Sequence, residues 1–344
     1  MAEAFSHLRV SSEYSISQGL LTIDQIIQNA IKHSIPSVAL TDKSNMFGLV
    51  KFFQKCESNG IKPISGSSIN VIFDSDDMSH ELLCLAKSNE GHKNLMKLIS
   101  HAHNNYSYNN PIISFSDLKN FANDIIVISG GKGSHIFELI KREKISEAEN
   151  KLDNFLEIFK DDFILEVQKT DREDEQEYFS KILPLAFSKS IPLVATNDVL
   201  FSEANDFDIH ETKVCINTGK TLNDPNREKI FSREQYFKSS SDMVDIFKDY
   251  SELIGNTNEI AKKCNVSLHS SSYFLPEYPV PQEHNFDSFL RDLAHKKLKI
   301  HIKKYNESTK KDYKKRIDYE LDQIKSMGFS SYFLIVYDLS LIHI

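Results

Sequence analysis

The chain has 344 residues, 40% hydrophobic and 26% charged, which excludes a disordered polypeptide and allows one large α/β domain or two smaller ones. A formal net charge of −8 makes most of the surface repel phosphate backbones, and four cysteines without a Cys-x-x-Cys pair exclude a zinc knuckle or disulfide framework and suit a reducing cytosol. There is no apolar run of the roughly 18–20 residues that span a bilayer and no basic, apolar leader, so the chain is predicted to be soluble and cytoplasmic.

Residues 7–200 alternate short apolar runs with amphipathic stretches. Helical spacing is clearest over 23–31, which follows Thr22, and over 152–159. The apolar runs are rich in β-branched residues and predict strands at 7–10, 37–40, 69–73, 125–128, 163–167 and 193–196. Strands that alternate with helices pair in parallel through crossover helices, so the pattern predicts a (β/α) barrel or a doubly wound sheet.

The rhythm changes from residue 218 onward. Residues 274–281 carry three prolines and are predicted to be an extended linker, so we place a domain boundary near residue 270. Four further helices are predicted, at 240–247, 250–263, 286–305 and 312–327, the last with Gly328 as its stop.

Charge is distributed unevenly along the chain. The segment 291–316 has a formal charge of +8, which leaves −16 for the rest. Its three acids are Asp292, Glu307 and Asp312, and its eleven cations are Arg291, Lys296, Lys297, Lys299, Lys303, Lys304, Lys310, Lys311, Lys314, Lys315 and Arg316. If the chain touches DNA, this segment is the predicted contact. A solvated helix face is the favoured interpretation, because most charge runs are that.

Two early segments, 5–15 and 39–48, resemble the metal site of the polymerase-and-histidinol-phosphatase (PHP) family in layout. In that family, imidazoles and carboxylates at the strand ends of a distorted barrel hold divalent metals that activate water against a phosphoester. Aligned by motif, the ligand positions of the family fall on Arg9, Ser11, Asp42, Lys43, Lys51, Thr170, Asp198 and Leu200.

Most of these residues cannot bind a metal. A guanidinium or ammonium group has no free lone pair to donate, and the two remaining carboxylates, Asp42 and Asp198, do not make a multinuclear site. The sequence therefore predicts a degenerate site without a catalytic metal. We expect Arg9, Lys43 and Lys51 to neutralise the two aspartates as internal ion pairs. The alternative is that these cations are surface residues with no shared role.

Three other motifs predict structure rather than chemistry. The pair His101 and His103 is two residues apart in a helical pattern and points to different sides, so it makes a poor chelate. The stretch 130–134 lacks the spacing of a phosphate-binding loop and is predicted to be a strand-to-helix turn. His210 stands at a helix start and is assigned a structural role.

A closer resemblance covers about residues 5–337. The chain resembles the N-terminal part of the bacterial DNA polymerase III alpha subunits, through the segments 7–10, 45–52, 60–64, 192–199, 206–211, 259–266, 273–276 and 327–336. It implies a PHP-type distorted (β/α)7 barrel over 1–270, followed over 271–338 by a linker and the mainly helical start of a truncated polymerase palm. Residues 339–344 look foreign to the family and are predicted to be a non-native tail.

The resemblance also implies a role. Family members with a degenerate PHP site depend on a separate proofreading 3′–5′ exonuclease subunit, for which the PHP domain is the dock. The full-length protein would contact DNA and other replicase subunits and would synthesise DNA with Mg²⁺ held by a Pro-Asp-x-Asp-x-Asp motif, which these 344 residues lack. We therefore expect this chain to bind no cofactor and not to polymerise DNA by itself.

Two alternatives remain at this point. A free-standing PHP phosphoesterase is disfavoured by the missing ligands and by the palm-like end of the chain. An unrelated barrel that binds a small ligand has only the fold rhythm in its favour, and a fold does not specify a function.

Overall fold

A seven-stranded sheet organises the larger part of the computed structural model, which describes residues 5–73, 78–105, 111–268 and 276–343. The strands are β1 (Ser37–Leu40), β2 (Lys62–Ile72), β3 (Ser79–Ala86), β4 (Ile112–Ser114), β5 (Ile125–Ile128), β6 (Phe163–Gln168) and β7 (Leu193–Thr196). Their spatial order is β1-β2-β3-β5-β6-β7, and β4 pairs with β2 outside this path. All neighbours are parallel except β3, which is antiparallel to both β2 and β5.

The described residues fall into two compact units, one up to residue 268 and one from 276 onward. Residues 269–275, which include the start of the predicted linker, lie outside the described residues, as does Ile344. The helices of the first unit are α1 (Ile23–Lys32), α2 (Leu49–Ser58), α3 (Asn89–Asn105), α4 (Phe115–Lys119), α5 (His135–Lys141), α6 (Ile145–Phe159), α7 (Glu175–Lys189), α8 (Phe207–Thr218), α9 (Ser240–Ile246) and α10 (Ser251–Lys263).

The N-terminal segment 7–11, here called the closing segment, joins the two edges of the sheet. On one side it accepts hydrogen bonds at His7 O from Ala39 N (2.7 Å) and at Val10 O from Thr41 N (2.9 Å). On the other side Ser11 N donates to Val199 O (2.9 Å), just beyond β7. The strand predicted at 7–10 is thus a pair of isolated bridges that closes the sheet into a barrel-like layer.

Two apolar layers fill this unit, one inside the curled sheet and one between the sheet and its helices. Alternate strand residues face inward, so Leu83, Ile128, Ile164 and Val194 share the inner cluster. Their strand neighbours, such as Leu165, belong to the outer cluster with the helices. The predicted α/β class is confirmed, with two corrections. Neither β3 nor β4 is among the predicted strands, and β3 is antiparallel, which the alternation of strands and helices does not predict.

The second unit is helical, with α11 (Phe286–His301), α12 (Glu307–Ser326) and α13 (Ser330–His343). Asn285 and Asn306 cap the first two helices through their side chains. Helix α12 ends one residue before Met327, and Gly328 follows at a φ of +71°, which fits the predicted stop. In the described parts of the chain, no helix has the length and apolarity needed to cross a membrane.

Candidate functional site at the carboxyl ends of the strands

Polar side chains form a layer above the inner apolar cluster. In β6 the inward face runs from Ile164 to Glu166 and Gln168, and both polar residues are buried. In β7 the same face carries Thr196, and Asp198 follows two residues later. The carboxyl ends of parallel strands lie at the same edge of the sheet. The polar residues at the ends of β6 and β7 therefore point into one site.

Arg9 lies at the centre of this polar layer and is only 6% exposed. Its Nε donates to Glu166 Oε1 at 3.0 Å, and its Nη1 contacts Glu81 and lies 3.7 Å from Asp198 Oδ1. Burial by itself lowers the pKa of Arg9, but the carboxylates of Glu166, Glu81 and Asp198 outweigh it and raise that pKa. The guanidinium therefore stays charged inside the fold, surrounded by three acids.

A second guanidinium, that of Arg172, completes the arrangement from the loop after β6. Its Nη1 donates to Asp198 Oδ2 at 3.2 Å, and its Nε donates to Glu175 Oε1 and to Thr170 Oγ1, both at 2.9 Å. Its Nη2 donates to Gln168. We call Arg9, Arg172, Glu81, Glu166, Glu175 and Asp198 the arginine–carboxylate network. Because both guanidinium groups contact Asp198, that carboxylate links the two halves.

Asp198 has one of the cationic partners that the sequence analysis expects, Arg9, and a second, Arg172, that it does not name. Its Oδ2 also accepts a hydrogen bond from Gln235 Nε2 at 2.7 Å. The backbone at Asp198 has a φ of +48°, a left-handed conformation that aspartate tolerates better than most residues. The Asp198 carboxylate is therefore held on three sides by donors.

The expected ion pair at Asp42 is wrong. The carboxylate is buried and accepts hydrogen bonds from Ser12 N, Ser12 Oγ and Ser15 Oγ, each at 2.7 Å. Burial raises the pKa of Asp42, and these hydrogen bonds act against that rise. No cation pairs with Asp42 among the residues that the structure describes. Serine donors in the turn after the closing segment take the place of the predicted lysine.

Lys43 and Lys51 lie apart from the network. The Lys43 side chain is partly buried and Lys51 is exposed, and neither makes an ion pair within the described ranges. Only the backbone of Lys43 touches the site, where its N–H donates to Ser15 Oγ at 3.1 Å. For these two lysines the alternative interpretation, cations without a shared role, agrees with the structure.

We expect Lys43→Ala to change the free energy of unfolding by less than about 0.5 kcal/mol, as for other substitutions outside the core. The ammonium group makes no ion pair in the described structure, so its removal leaves no buried charge unpaired. Urea unfolding followed by circular dichroism measures this difference. A loss above about 2 kcal/mol would show that the Lys43 ammonium neutralises Asp42 after all.

The remaining ligand positions have become part of the scaffold. Ser11 is buried at the edge of the closing segment, and Leu200 is a core residue whose N–H donates to Gln235 O at 2.9 Å. Thr170 is fully buried, and its N and Oγ1 donate to the two carboxylate oxygens of Glu175 at 2.6 and 2.7 Å. None of these three offers a metal an imidazole or carboxylate.

The site as a whole does not fit a divalent metal. Within the described residues, no group of three or more His, Cys, Asp and Glu side chains is placed to hold a metal ion. Three acids do surround one point, but the Arg9 guanidinium occupies it, and a metal would have to displace a buried cation that is already paired with those acids. Arg9 thus supplies part of the positive charge that a metal would bring.

The other motifs lie in structural positions: the histidine pair is in α3, the stretch 130–134 links β5 to α5, and His210 is buried in α8. His103 Nε2 lies 2.8 Å from Ser44 O, whereas His101 Nε2 lies 3.4 Å from Asp117, so the pair does not converge. Residues Gly131–Gly133 form a 3₁₀ turn, and Ser134 caps α5 by accepting a hydrogen bond from Phe137 N at 3.1 Å. The strand-to-helix turn is confirmed.

Each unit contains a stretch that matches a known family model. Residues 7–170 match the PHP domain, and residues 288–342 match the bacterial DNA polymerase III alpha NTPase domain. The second match reaches into 339–344, so the non-native tail stays a prediction.

Curated relatives match almost the whole chain. It is 37% identical to DNA polymerase III subunit alpha of Pseudomonas aeruginosa, over 98% of this chain and 30% of the relative. The subunits of Escherichia coli K12 and Pasteurella multocida are 37% and 35% identical, each over 96% of this chain and 29% of the relative. The chain thus spans about 30% of the length of these relatives.

Proposed function

This chain is a member of the bacterial DNA polymerase III alpha family, and we propose that its PHP domain is a catalytically silent scaffold that docks the proofreading exonuclease subunit of a cytoplasmic replicase. The proposed domains are the PHP domain over 1–270 and the linker and start of the palm over 271–338. The proposal extends to the full-length protein, which would synthesise DNA with Mg²⁺ bound by aspartates that these 344 residues lack.

The arginine–carboxylate network is the observation that carries this proposal. A PHP phosphoesterase needs metal-bound water, and here a permanently charged guanidinium lies among the acids while Leu200, Thr170 and Ser11 replace other ligands. The network still joins the closing segment to β3, to β6 and to the end of β7. Within the described residues the site lacks metal ligands, but its ion pairs link these strands to one another, so it is suited to stabilising the domain.

Metal analysis tests the silent site. We expect the purified chain, dialysed against buffer with about 10 µM each of Zn²⁺ and Mn²⁺, to retain far less than one metal per chain. The described residues include no group of three or more His, Cys, Asp and Glu side chains placed to hold a metal ion. Plasma mass spectrometry gives the metal content. The control is Asp42→Asn with Asp198→Asn, since stoichiometric metal that disappears in this double variant would place a metal at the site and contradict the proposal.

The same preparation distinguishes the alternative function. A free-standing phosphoesterase would hydrolyse bis(p-nitrophenyl) phosphate, and the double aspartate variant would not. We expect no difference in hydrolysis between the two proteins. A metal-dependent rate that the double variant abolishes would favour the phosphoesterase.

Docking is tested with the exonuclease subunit encoded in the same genome. We expect the full 344-residue chain to retain it on size-exclusion chromatography, as an earlier-eluting complex with one copy of each. The control is an unrelated exonuclease of similar size and charge. A chain that is folded by circular dichroism and fails to retain the subunit would overturn the docking role and leave the silent site unaffected.

A further inference from the structure

The turn between α11 and α12 gathers the basic segment at one end of a helical hairpin. Arg291 Nη1 and His295 Nε2 lie 2.8 and 2.9 Å from Asp318 Oδ1, which aligns the middle of α11 with the second half of α12. The last turns of α11 and the first turns of α12 therefore meet at the opposite end. We infer that this end, residues 296–316, here called the basic tip, binds single-stranded nucleic acid.

Unpaired positive charge is the first argument for this binding surface. Among the described residues, only two of its ten cations form ion pairs, Lys310 with Glu307 (2.7 Å) and Arg316 with Glu320 (2.7 Å). Eight lysines have no ion pair in the described structure: Lys296, Lys297, Lys299, Lys303, Lys304, Lys311, Lys314 and Lys315. All eight are exposed, so they are free to contact a phosphate backbone.

The spacing of these lysines argues against an ordinary solvated helix face. A solvated face alternates acids and bases at i and i+4, as Arg316 and Glu320 do. In the first turns of α12, Lys311 and Lys315 are like charges four residues apart, and neither has an ion pair in the described structure. Such pairs destabilise a helix unless an anion lies between them. The basic tip therefore lacks the partner that its charge pattern calls for.

Aromatic rings at the same place indicate which polyanion fits. Tyr305 and Tyr313 stack with ring centroids 5.4 Å apart and planes 27° apart, and the His301 ring lies 6.2 Å from each. Tyr313 is 39% exposed. The Lys304 ammonium lies 5.5 Å from the Tyr305 centroid. Unpaired bases stack on such rings while lysines contact the phosphates, whereas duplex bases and acidic peptides offer no exposed base to stack.

This inference goes beyond the proposed function, because it concerns the second unit and requires neither the exonuclease subunit nor the metal site. It is measured on the full 344-residue chain alone. Fluorescence anisotropy of a labelled oligo-dT of about 20 nucleotides and of a duplex of about 20 base pairs gives the two dissociation constants. Both probes are longer than the roughly 4–16 nucleotides that one single-strand-binding module covers. Repeating the titration at rising NaCl gives the number of phosphates contacted.

The decisive variant replaces Lys303, Lys304, Lys311 and Lys314 together by glutamine. We expect it to bind oligo-dT at least about 10-fold more weakly at low salt and with a shallower salt dependence. The matched control replaces Lys97, Lys119, Lys229 and Lys248, four exposed lysines of the first unit without ion pairs in the described structure, and we expect a change below about 2-fold. Equal weakening in both variants would mean that net charge alone acts, which would overturn the inference.

Base stacking is tested separately with Tyr313→Ala. We expect it to weaken oligo-dT binding about 5-fold or more and duplex binding by less than about 2-fold. Tyr319→Ala on the same helix, 57% exposed, is the control and should change neither. A poly-glutamate peptide that competes as well as unlabelled oligo-dT would make the basic tip a site for acidic proteins and overturn the inference. Circular dichroism of each variant checks that the helices remain.

Discussion

Arg9→Met is expected to lower the free energy of unfolding by roughly 3–5 kcal/mol, the usual cost of removing one partner of a buried ion pair. A methionine side chain fills most of the volume of the arginine side chain, so the loss of stability comes mainly from the missing charge. Glu166, which is fully buried, would lose its guanidinium donor, and Glu81 would lose its ion pair with Arg9. Asp198 would keep only Arg172 as a cationic partner. Urea unfolding at neutral pH measures the difference.

Arg142→Met is the control for Arg9→Met. Arg142 pairs with Glu138 one helical turn away on the surface, and its side chain is 53% exposed. We expect a loss below about 1 kcal/mol, because solvent screens surface pairs. The variant with both Arg9→Met and Glu166→Gln should recover part of the Arg9→Met loss, since the buried acid is then neutral. Equal losses for Arg9→Met and Arg142→Met would show that the network contributes nothing to stability.

Gly130→Ala is expected to destabilise the protein by roughly 3–5 kcal/mol, through backbone strain and overpacking together. Gly130 has a φ of +92°, and an added Cβ would overlap the backbone carbonyl oxygen of Glu81. Relief of that overlap has to move the end of β3 and with it the carboxylate that pairs with Arg9. Thermal and urea unfolding measure the loss.

Gly60 provides a matched comparison for Gly130→Ala. Its φ is +69°, and a Cβ added there has no heavy atom within 4 Å. Gly60→Ala therefore measures backbone strain without overpacking, and we expect about 1 kcal/mol. If the two variants lose equal stability, the close approach of Gly130 to Glu81 has no energetic consequence.

The sequence predicts the site best where a residue type decides the chemistry. Arginine at position 9 excludes metal ligation whatever the fold does, and the positions of Asp42, Asp198 and Thr170 at strand ends follow from the strand pattern. Glu166 also left a signal, since it is a charged residue inside the apolar run 163–167, and the inward parity of its strand directs it to the site.

Other parts of the site depend on backbone geometry that the sequence does not display. Arg172 stands in an acidic stretch that has the composition of a solvated loop. It turns inward between Asp171 and Asp174, whose φ values of +56° and +69° reverse the chain. Glu81 lies on β3, whose antiparallel pairing the strand–helix rhythm does not reveal. The partner of Asp42 was missed because serine hydroxyls in a turn satisfy a carboxylate as well as a lysine does.

The closing segment has a consequence for the order of folding. Its partners lie far along the chain: Arg9 reaches Glu81 and Glu166 across 72 and 157 residues, and His7 Nε2 lies 2.8 Å from Lys238 O across 231. During synthesis these residues emerge before their partners and stay unpaired until the last strand has left the ribosome. Contacts of such separation form slowly. The Arg9 guanidinium and its acidic partners would thus come together only when the closing segment joins the two edges of the sheet and the domain is complete.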